Sequence, residues 1–200
     1  MTSNIASFTK KAEPLLARSD DDLMLLSSRG LHAAFETLVR RHGRRLLGFC
    51  VKHAGAGGVG EELAQEIWLA VWDHRRDYRP EGRFVVWLFT LARNRVRNAQ
   101  RDVARRPNVP IDGDPDLVLA RAPDLAPSEL DRLVVAERRA RLESALATVP
   151  ENLREALVLR FTEELPYEDV ARILDTNEST ARSRVFHGIR DLRRRLRGEP

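Results

Sequence analysis

The sequence predicts an all-α protein: two small helical domains joined by a flexible linker, the C-terminal one closing on a helix-turn-helix. Three observations carry this. From about residue 20 onward apolar residues recur every three or four positions, and no segment alternates convincingly with period two. Residues 103–127 lose the period and collect prolines and acids. Residues 166–196 then hold two apolar stripes separated by Asp175-Thr176-Asn177, residues that favour turns and caps.

The elements follow in order. Residues 1–18 are polar and weakly patterned and read as a tail. Ser19 or Asp20 can cap a first helix carrying Leu23, Leu25 and Leu26, which Gly30 breaks. Residues 31–53 form a longer amphipathic helix through Ala34, Phe35, Leu38, Val39, Leu46, Leu47 and Cys50. Gly55, Gly57, Gly58 and Gly60 suggest a flexible connection. Residues 61–74 restart the period with Leu63, Ile67, Ala70 and Val71, beside an acidic, amide-bearing strip of Glu61, Glu62, Gln65 and Glu66. Trp68 and Trp72 lie one turn apart, and at least one of them is expected in the core. After a turn at 77–82, residues 83–101 place Phe84, Trp87, Leu88, Leu91 and Val96 on one side of a helix. Its second half carries Arg93, Asn94, Arg95, Arg97, Asn98 and Arg101.

Beyond the linker, residues 128–148 are helical through Leu130, Leu133, Val134, Leu142, Ala145 and Leu146. Pro150 opens a helix through Leu153, Ala156, Leu157 and Phe161. Tyr167, Val170, Ala171 and Leu174 then make one apolar face, and Ala181, Val185, Ile189, Leu192 and Leu196 the next. The opposite face of that last helix bears Thr180, Arg182, Ser183, Arg184, His187 and Arg190. It is cationic, rich in hydrogen-bond donors and long enough to lie in a major groove. An αα-hairpin with a solvated basic face is the plainer alternative. The domain boundaries expected are a tail at 1–18, a first domain at 19–102, a linker at 103–127 and a second domain at 128–200.

The formal charge of +4 is modest but unevenly spread. Residues 83–106 hold seven arginines against one aspartate, and so do residues 179–197, whereas 107–131 hold six acids against one arginine. Such a pattern points to a polyanion partner for the two basic segments. One cysteine, Cys50, excludes an internal disulfide framework. No apolar run matches a leader or a membrane span, so a cytoplasmic protein is expected. No Gly-rich phosphate loop, His-Glu-x-x-His or Gly-x-Ser-x-Gly motif occurs, and the five histidines are scattered. No catalytic residue, metal site, cofactor or small-molecule substrate is expected, and the protein is not expected to be an enzyme.

Several stretches together resemble the extracytoplasmic-function (ECF) class of the sigma-70 family of bacterial transcription initiation factors. Asp21-Asp22-Leu23-Met24-Leu25-Leu26 followed by Ala34-Phe35 resembles the family's opening. Residues 61–68 with Val71-Trp72 resemble the helix that binds the clamp of RNA polymerase. Residues 84–94 resemble the −10 reading and melting helix; Val149-Pro150, Arg154, Leu157 and 166–196 resemble the −35 reading domain. Glu62 stands where the family commonly has Asp, Asn98 likewise, and Asp175 where it often has Gly.

The resemblance implies core RNA polymerase and promoter DNA as partners, duplex at −35 and single-stranded at −10, with control by an anti-sigma factor. It implies polymerase contact by Glu61, Glu62, Gln65, Glu66 and Trp68. Arg79, Arg83, Asn94, Arg95 and Asn98 would hold the −10 strand, with Tyr78, Phe84 and Trp87 as possible stacking platforms. Ser179, Thr180, Arg182, Ser183, Arg184 and His187 would read −35. A stand-alone helix-turn-helix regulator is the alternative, as is a scaffold whose basic helices bind acidic proteins. Neither an α/β receiver pattern in the first half nor a face of simple charge favours them.

Overall fold

A computed structural model of the chain describes residues 15–54, 58–105 and 129–197. Residues 1–14 of the tail expected at 1–18 and residues 106–127 of the linker expected at 103–127 lie outside the described residues. The chain divides into two compact units, Met1–Gly113 and Asp114–Pro200. Among the described residues every regular element is helical.

The described residues of the first unit form the α-helices α1 (Asp20–Ser28), α2 (His32–Ala54), α3 (Val59–Asp73) and α4 (Phe84–Arg105), with a 3-10 turn at His74–Arg76 after α3. Ser19 caps α1 from an extended backbone, its side chain accepting from the Asp22 amide at 3.1 Å. Asp20, Asp21 and Asp22 fill the first turn, where the helix dipole favours carboxylates. α2 is the central rod and packs against α1, α3 and α4. Its buried positions, Ala34, Leu38, His42, Leu46, Phe49, Cys50 and His53, keep the three-to-four spacing along its whole length. Leu23, Met24, Ile67, Val71, Leu88 and Phe89 complete the core. Each fully buried side chain of this size contributes roughly 1.5–3 kcal/mol. Burial pushes the Cys50 thiol up to about 12, so it packs as a small apolar group.

His42 is buried and binds the Asp20 carboxylate through Nε2 at 2.8 Å, while Arg41 pairs with the other carboxylate oxygen. Burial raises the Asp20 carboxyl, but His42 and Arg41 outweigh it and hold the group below the usual range.

Three expectations are corrected here. Gly60 belongs to α3, not to a loose connection. The 83–101 helix continues to Arg105, four residues further and into the expected linker. The buried side of α4 is Phe84, Leu88, Phe89, Ala92, Arg93 and Val96, with Trp87 and Leu91 only half-buried. The cause is that α4 packs on both α2 and α3, which widens and turns its buried arc.

The second unit holds α5 (Glu129–Ala147), α6 (Glu151–Leu157), α7 (Tyr167–Ile173) and α8 (Glu178–Leu196). α6 packs on α8, and α7 crosses α8 as the first helix of the helix-turn-helix. Asp175 takes the left-handed conformation, φ 50°, that the turn between them needs. Asn177 caps α8, its side-chain oxygen accepting from the Thr180 amide at 2.7 Å. Val149, Ala156, Leu157, Leu159, Leu165, Val170, Ile173, Leu174, Ala181 and Val185 form the core. Arg154 reaches back to the Ala147 carbonyl at 2.7 Å and ties α6 to the end of α5.

Phe161, expected on the apolar stripe, is 56% exposed. α6 runs on into a π turn at Val158–Thr162, and the Glu163 amide donates to the Val158 carbonyl at 3.0 Å. A five-residue step replaces the usual four, and the stripe rotates away from the core.

Candidate nucleic-acid and protein interfaces

Three surfaces collect the residues singled out above. The first is on α3. Glu61, Glu62, Gln65 and Glu66 are all exposed, and Glu62, Gln65 and Glu66 share one face of the helix. Leu69 continues that face and is 64% exposed, a residue the sequence reading passed over. An apolar side chain amid acids and an amide suits a protein partner better than water alone. Trp68 does not stand on the strip. It is half-buried, edge-on to Phe35 with centroids 5.7 Å apart, and so fastens α3 to α2. Trp72 lies at 5.0 Å from Phe35, stacked on His32 at 4.9 Å, with the Arg75 guanidinium 3.8 Å from its ring centroid.

The second surface joins the segment 77–83 to the polar side of α4. Arg79, Arg83, Asn94, Arg95 and Asn98 are all exposed. They do not form one pocket: eleven residues separate Arg83 from Asn94, about 16 Å along a helix axis. Such a track is the shape of a groove that follows a single strand, with cations spaced along a backbone. Asn98 accepts a hydrogen bond from Arg101, and Arg95 stands 3.8 Å from Glu66 across the α3–α4 contact. With both partners about half exposed, that ion pair contributes little to stability.

The three aromatic rings form a cluster. Tyr78 packs edge-on to Phe84 at 5.9 Å and to Trp87 at 5.1 Å. Phe84 is 2% exposed and is therefore core, not a platform; Tyr78 and Trp87 are half-buried. The Tyr78 hydroxyl donates to one oxygen of Asp21 at 2.5 Å, and the Gly82 amide donates to the other. Burial first, then the Asp21 carboxylate, pushes the phenol pKa up, so Tyr78 stays a donor.

The third surface is α8, nineteen residues and so about 28 Å long. Ser179, Arg182, Ser183 and His187 are exposed on one face, with Phe186, 64% exposed, and Arg190 continuing it. Thr180 and Arg184 are half-buried at its flank. Arg182 is already held: its Nε donates to Glu178 at 2.9 Å, and its guanidinium lies 4.3 Å from the Tyr167 ring centroid. Arg160 lies over the same ring at 5.1 Å. Phe186 was missed by the sequence reading although its spacing from Ser179, Arg182, Ser183 and Arg190 is that of one helical face.

Among the described residues no group of three or more His, Cys, Asp or Glu is placed to hold a metal. Nor is any helix among them long and apolar enough to cross a membrane.

Comparison with known proteins matches residues 38–106 to the family described as Sigma-70 region 2, and residues 139–192 to Sigma-70, region 4. RNA polymerase sigma factor CarQ of Myxococcus xanthus is 31% identical over 84% of this chain and 91% of its own length. RNA polymerase sigma-H factor of Pseudomonas aeruginosa is 28% identical over 86% of this chain and 91% of its own. Among solved structures, the sigma factor RpoE of Bartonella quintana, in complex with the anti-sigma factor NepR, superimposes with a TM-score of 0.63. It is 23% identical, and the match covers 81% of this chain and 95% of that one.

Proposed function

Because the chain belongs to the sigma-70 family of RNA polymerase sigma factors, in its ECF class, we propose a division of labour among its three surfaces. The protein is a transcription initiation factor that binds core RNA polymerase and promoter DNA and is controlled by an anti-sigma factor. Residues 19–102 act as the region that docks on polymerase and holds the −10 strand, and 128–200 as the region that reads −35. Residues 103–127 join them. The chain works in the cytoplasm, where promoter DNA and core enzyme are, and performs no catalytic step of its own.

In this assignment Glu61, Glu62, Gln65 and Glu66 face a basic surface of the polymerase largest subunit, with Leu69 as their apolar centre. Trp68 supports them from below by fixing α3 on α2. The polar track through Arg79, Arg83, Asn94, Arg95 and Asn98 follows the non-template strand. Amides read base edges there, arginines hold phosphates, and the half-buried Tyr78 and Trp87 offer ring edges. α8 enters the major groove at −35 with Ser179, Ser183, Phe186 and His187 toward the bases and Arg182 toward a phosphate. Thr180 and Arg184 lie at the groove wall.

One observation carries the reading of α8: Ser179, Arg182, Ser183, His187 and Arg190 on its donor-rich face are exposed, while Ala181, Val185 and Gly188 on the opposite face are buried. The test is promoter binding with and without core polymerase. Wild-type protein is expected to select promoter duplex strongly only as holoenzyme. The double variant Glu62→Lys, Glu66→Lys is expected to lose at least tenfold in core affinity at moderate salt while keeping its helical signal. Unchanged core affinity would remove the strip from the interface. Equal promoter selection without core would remove the polymerase from DNA reading.

A further inference from the structure

One carboxylate in the first unit makes contacts that the division of labour leaves without a purpose. Asp21 sits in the first turn of α1, yet its oxygens bond residues far along the chain. It accepts from the hydroxyl of Tyr78 and from the amide of Gly82, residues 57 and 61 positions away. Between those two donors lie Arg79, Pro80 and Glu81, all exposed. The Asp77 amide donates to the His74 carbonyl at 3.0 Å just before this segment. The Trp87 amide donates to the Arg83 carbonyl at 3.1 Å just after it. The tip is thus anchored at its base by the chain and closed across its neck by one side chain. Underneath, the Tyr78 ring rests against Phe84 and Trp87 and gives the neck a packed floor.

We infer that Asp21 is a positioning residue for single-strand capture: it bridges Tyr78 and Gly82 and holds the 79–81 tip in its reading conformation before DNA arrives. The inference rests on the assignment of the segment 77–83 to the −10 strand. Its physical ground is entropic. Fixing a loop costs free energy for every residue ordered. A clasp made on folding moves that cost away from the binding step, so it appears as affinity and as base discrimination. A hydrogen bond to a carboxylate is stronger than one to a neutral acceptor. Asp21 touches no DNA in this scheme. Asp21, Asp20 and Glu81 all act on Tyr78 as negative charges, so as a bare charge Asp21 would only repel phosphate.

The experiment uses the full chain in holoenzyme with core polymerase, challenged with two promoter libraries, one randomised over the −10 window and one over the −35 window. Asp21→Ala is expected to flatten the −10 base preferences by about tenfold. The −35 preferences should stay as they are, a split that general destabilisation would not produce. Asp21→Asn is expected to stay within about twofold, since a carboxamide can accept from the Gly82 amide and donate to the Tyr78 oxygen. Amide exchange at Gly82 should quicken in Asp21→Ala and not in Asp21→Asn.

Tyr78→Phe, which keeps the ring and deletes one arm of the clasp, is expected to lose −10 discrimination in part. It carries the test by itself if Asp21→Ala does not fold. Wild-type −10 preference in folded Asp21→Ala, or in Tyr78→Phe standing in for it, overturns the inference. So does tighter strand binding in Asp21→Asn and Asp21→Ala alike, which would make Asp21 a repelling charge and nothing more. If the double variant Arg79→Ala, Arg83→Ala keeps the −10 preference, the segment is not the reader and both readings fall. If that double variant loses it and Asp21→Ala does not, the clasp alone is wrong.

Discussion

Two glycines show how much a single missing Cβ decides, and they decide differently. A Cβ on Gly60 would come within 2.8 Å of the Val51 Cα and 2.9 Å of its backbone nitrogen. Neither atom can move without shifting α2 or α3, so the close approach of those helices requires glycine there. A Cβ on Gly188 would meet the Leu157 side chain, at 2.9 Å from Cγ. Leu157 is buried, and its branch carbon yields only if the packed side chain turns as a whole, which still asks less than moving a backbone. Gly60→Ala is therefore expected to destabilise the first unit by about 1–3 kcal/mol through overpacking. Gly188→Ala is expected to cost less than Gly60→Ala, because better helix propensity offsets about 1 kcal/mol of the contact. Urea unfolding followed separately for each unit checks both. A Gly60→Ala protein as stable as the parent would show that the helices have room to part.

At the scale of elements, the proposed assignment gives α8 both reading and bracing, and its arginines divide accordingly. Arg182 is stacked over Tyr167 and hydrogen-bonded to Glu178, so its guanidinium is already oriented and only partly free. Such a group suits a phosphate, which accepts from several directions, better than a base edge, which demands a bidentate pair. Arg182→Ala is expected to weaken all −35 sequences alike and to lower the salt slope by about one. Ser183→Ala with His187→Ala should instead change the preferred bases. A −35 selection with each variant at two salt concentrations distinguishes these outcomes.

What α8 owes to sequence was legible: the Asn177 cap, the Asp175 turn and the Ala181–Val185 stripe follow from local pattern. The acidic strip of α3 was legible for the same reason. The buried arc of α4 was not, since period alone does not reveal that a helix will have two neighbours. Neither was the π turn that expels Phe161, because a wide turn is set by the packing around Leu159 and Leu165. The Asp21 clasp joins residues 57 and 61 positions apart, and nothing local to Asp21-Asp22-Leu23 announces it.

The whole molecule places two DNA-reading units on one chain, and that joins their affinities. Each unit presents a small basic surface, and phosphate contacts of that kind bind weakly and lose strength steeply with salt. Two weak sites on one tether act differently. Once one is engaged, the other meets its target at an effective concentration set by the joining segment and not by the bulk concentration. The gain over either unit is then about a hundredfold or more, with no new contact. Cutting the chain within residues 106–128, by a protease site placed there, removes the gain and leaves both folded units intact. Holoenzyme rebuilt from the two halves at micromolar concentration is expected to lose promoter-specific transcription by about that factor. Raising the concentration of the residues 129–200 half should recover it progressively, because the loss is one of local concentration. Full activity from the cut protein at micromolar concentration would mean that the polymerase alone aligns the two units and that the covalent connection adds nothing to promoter choice.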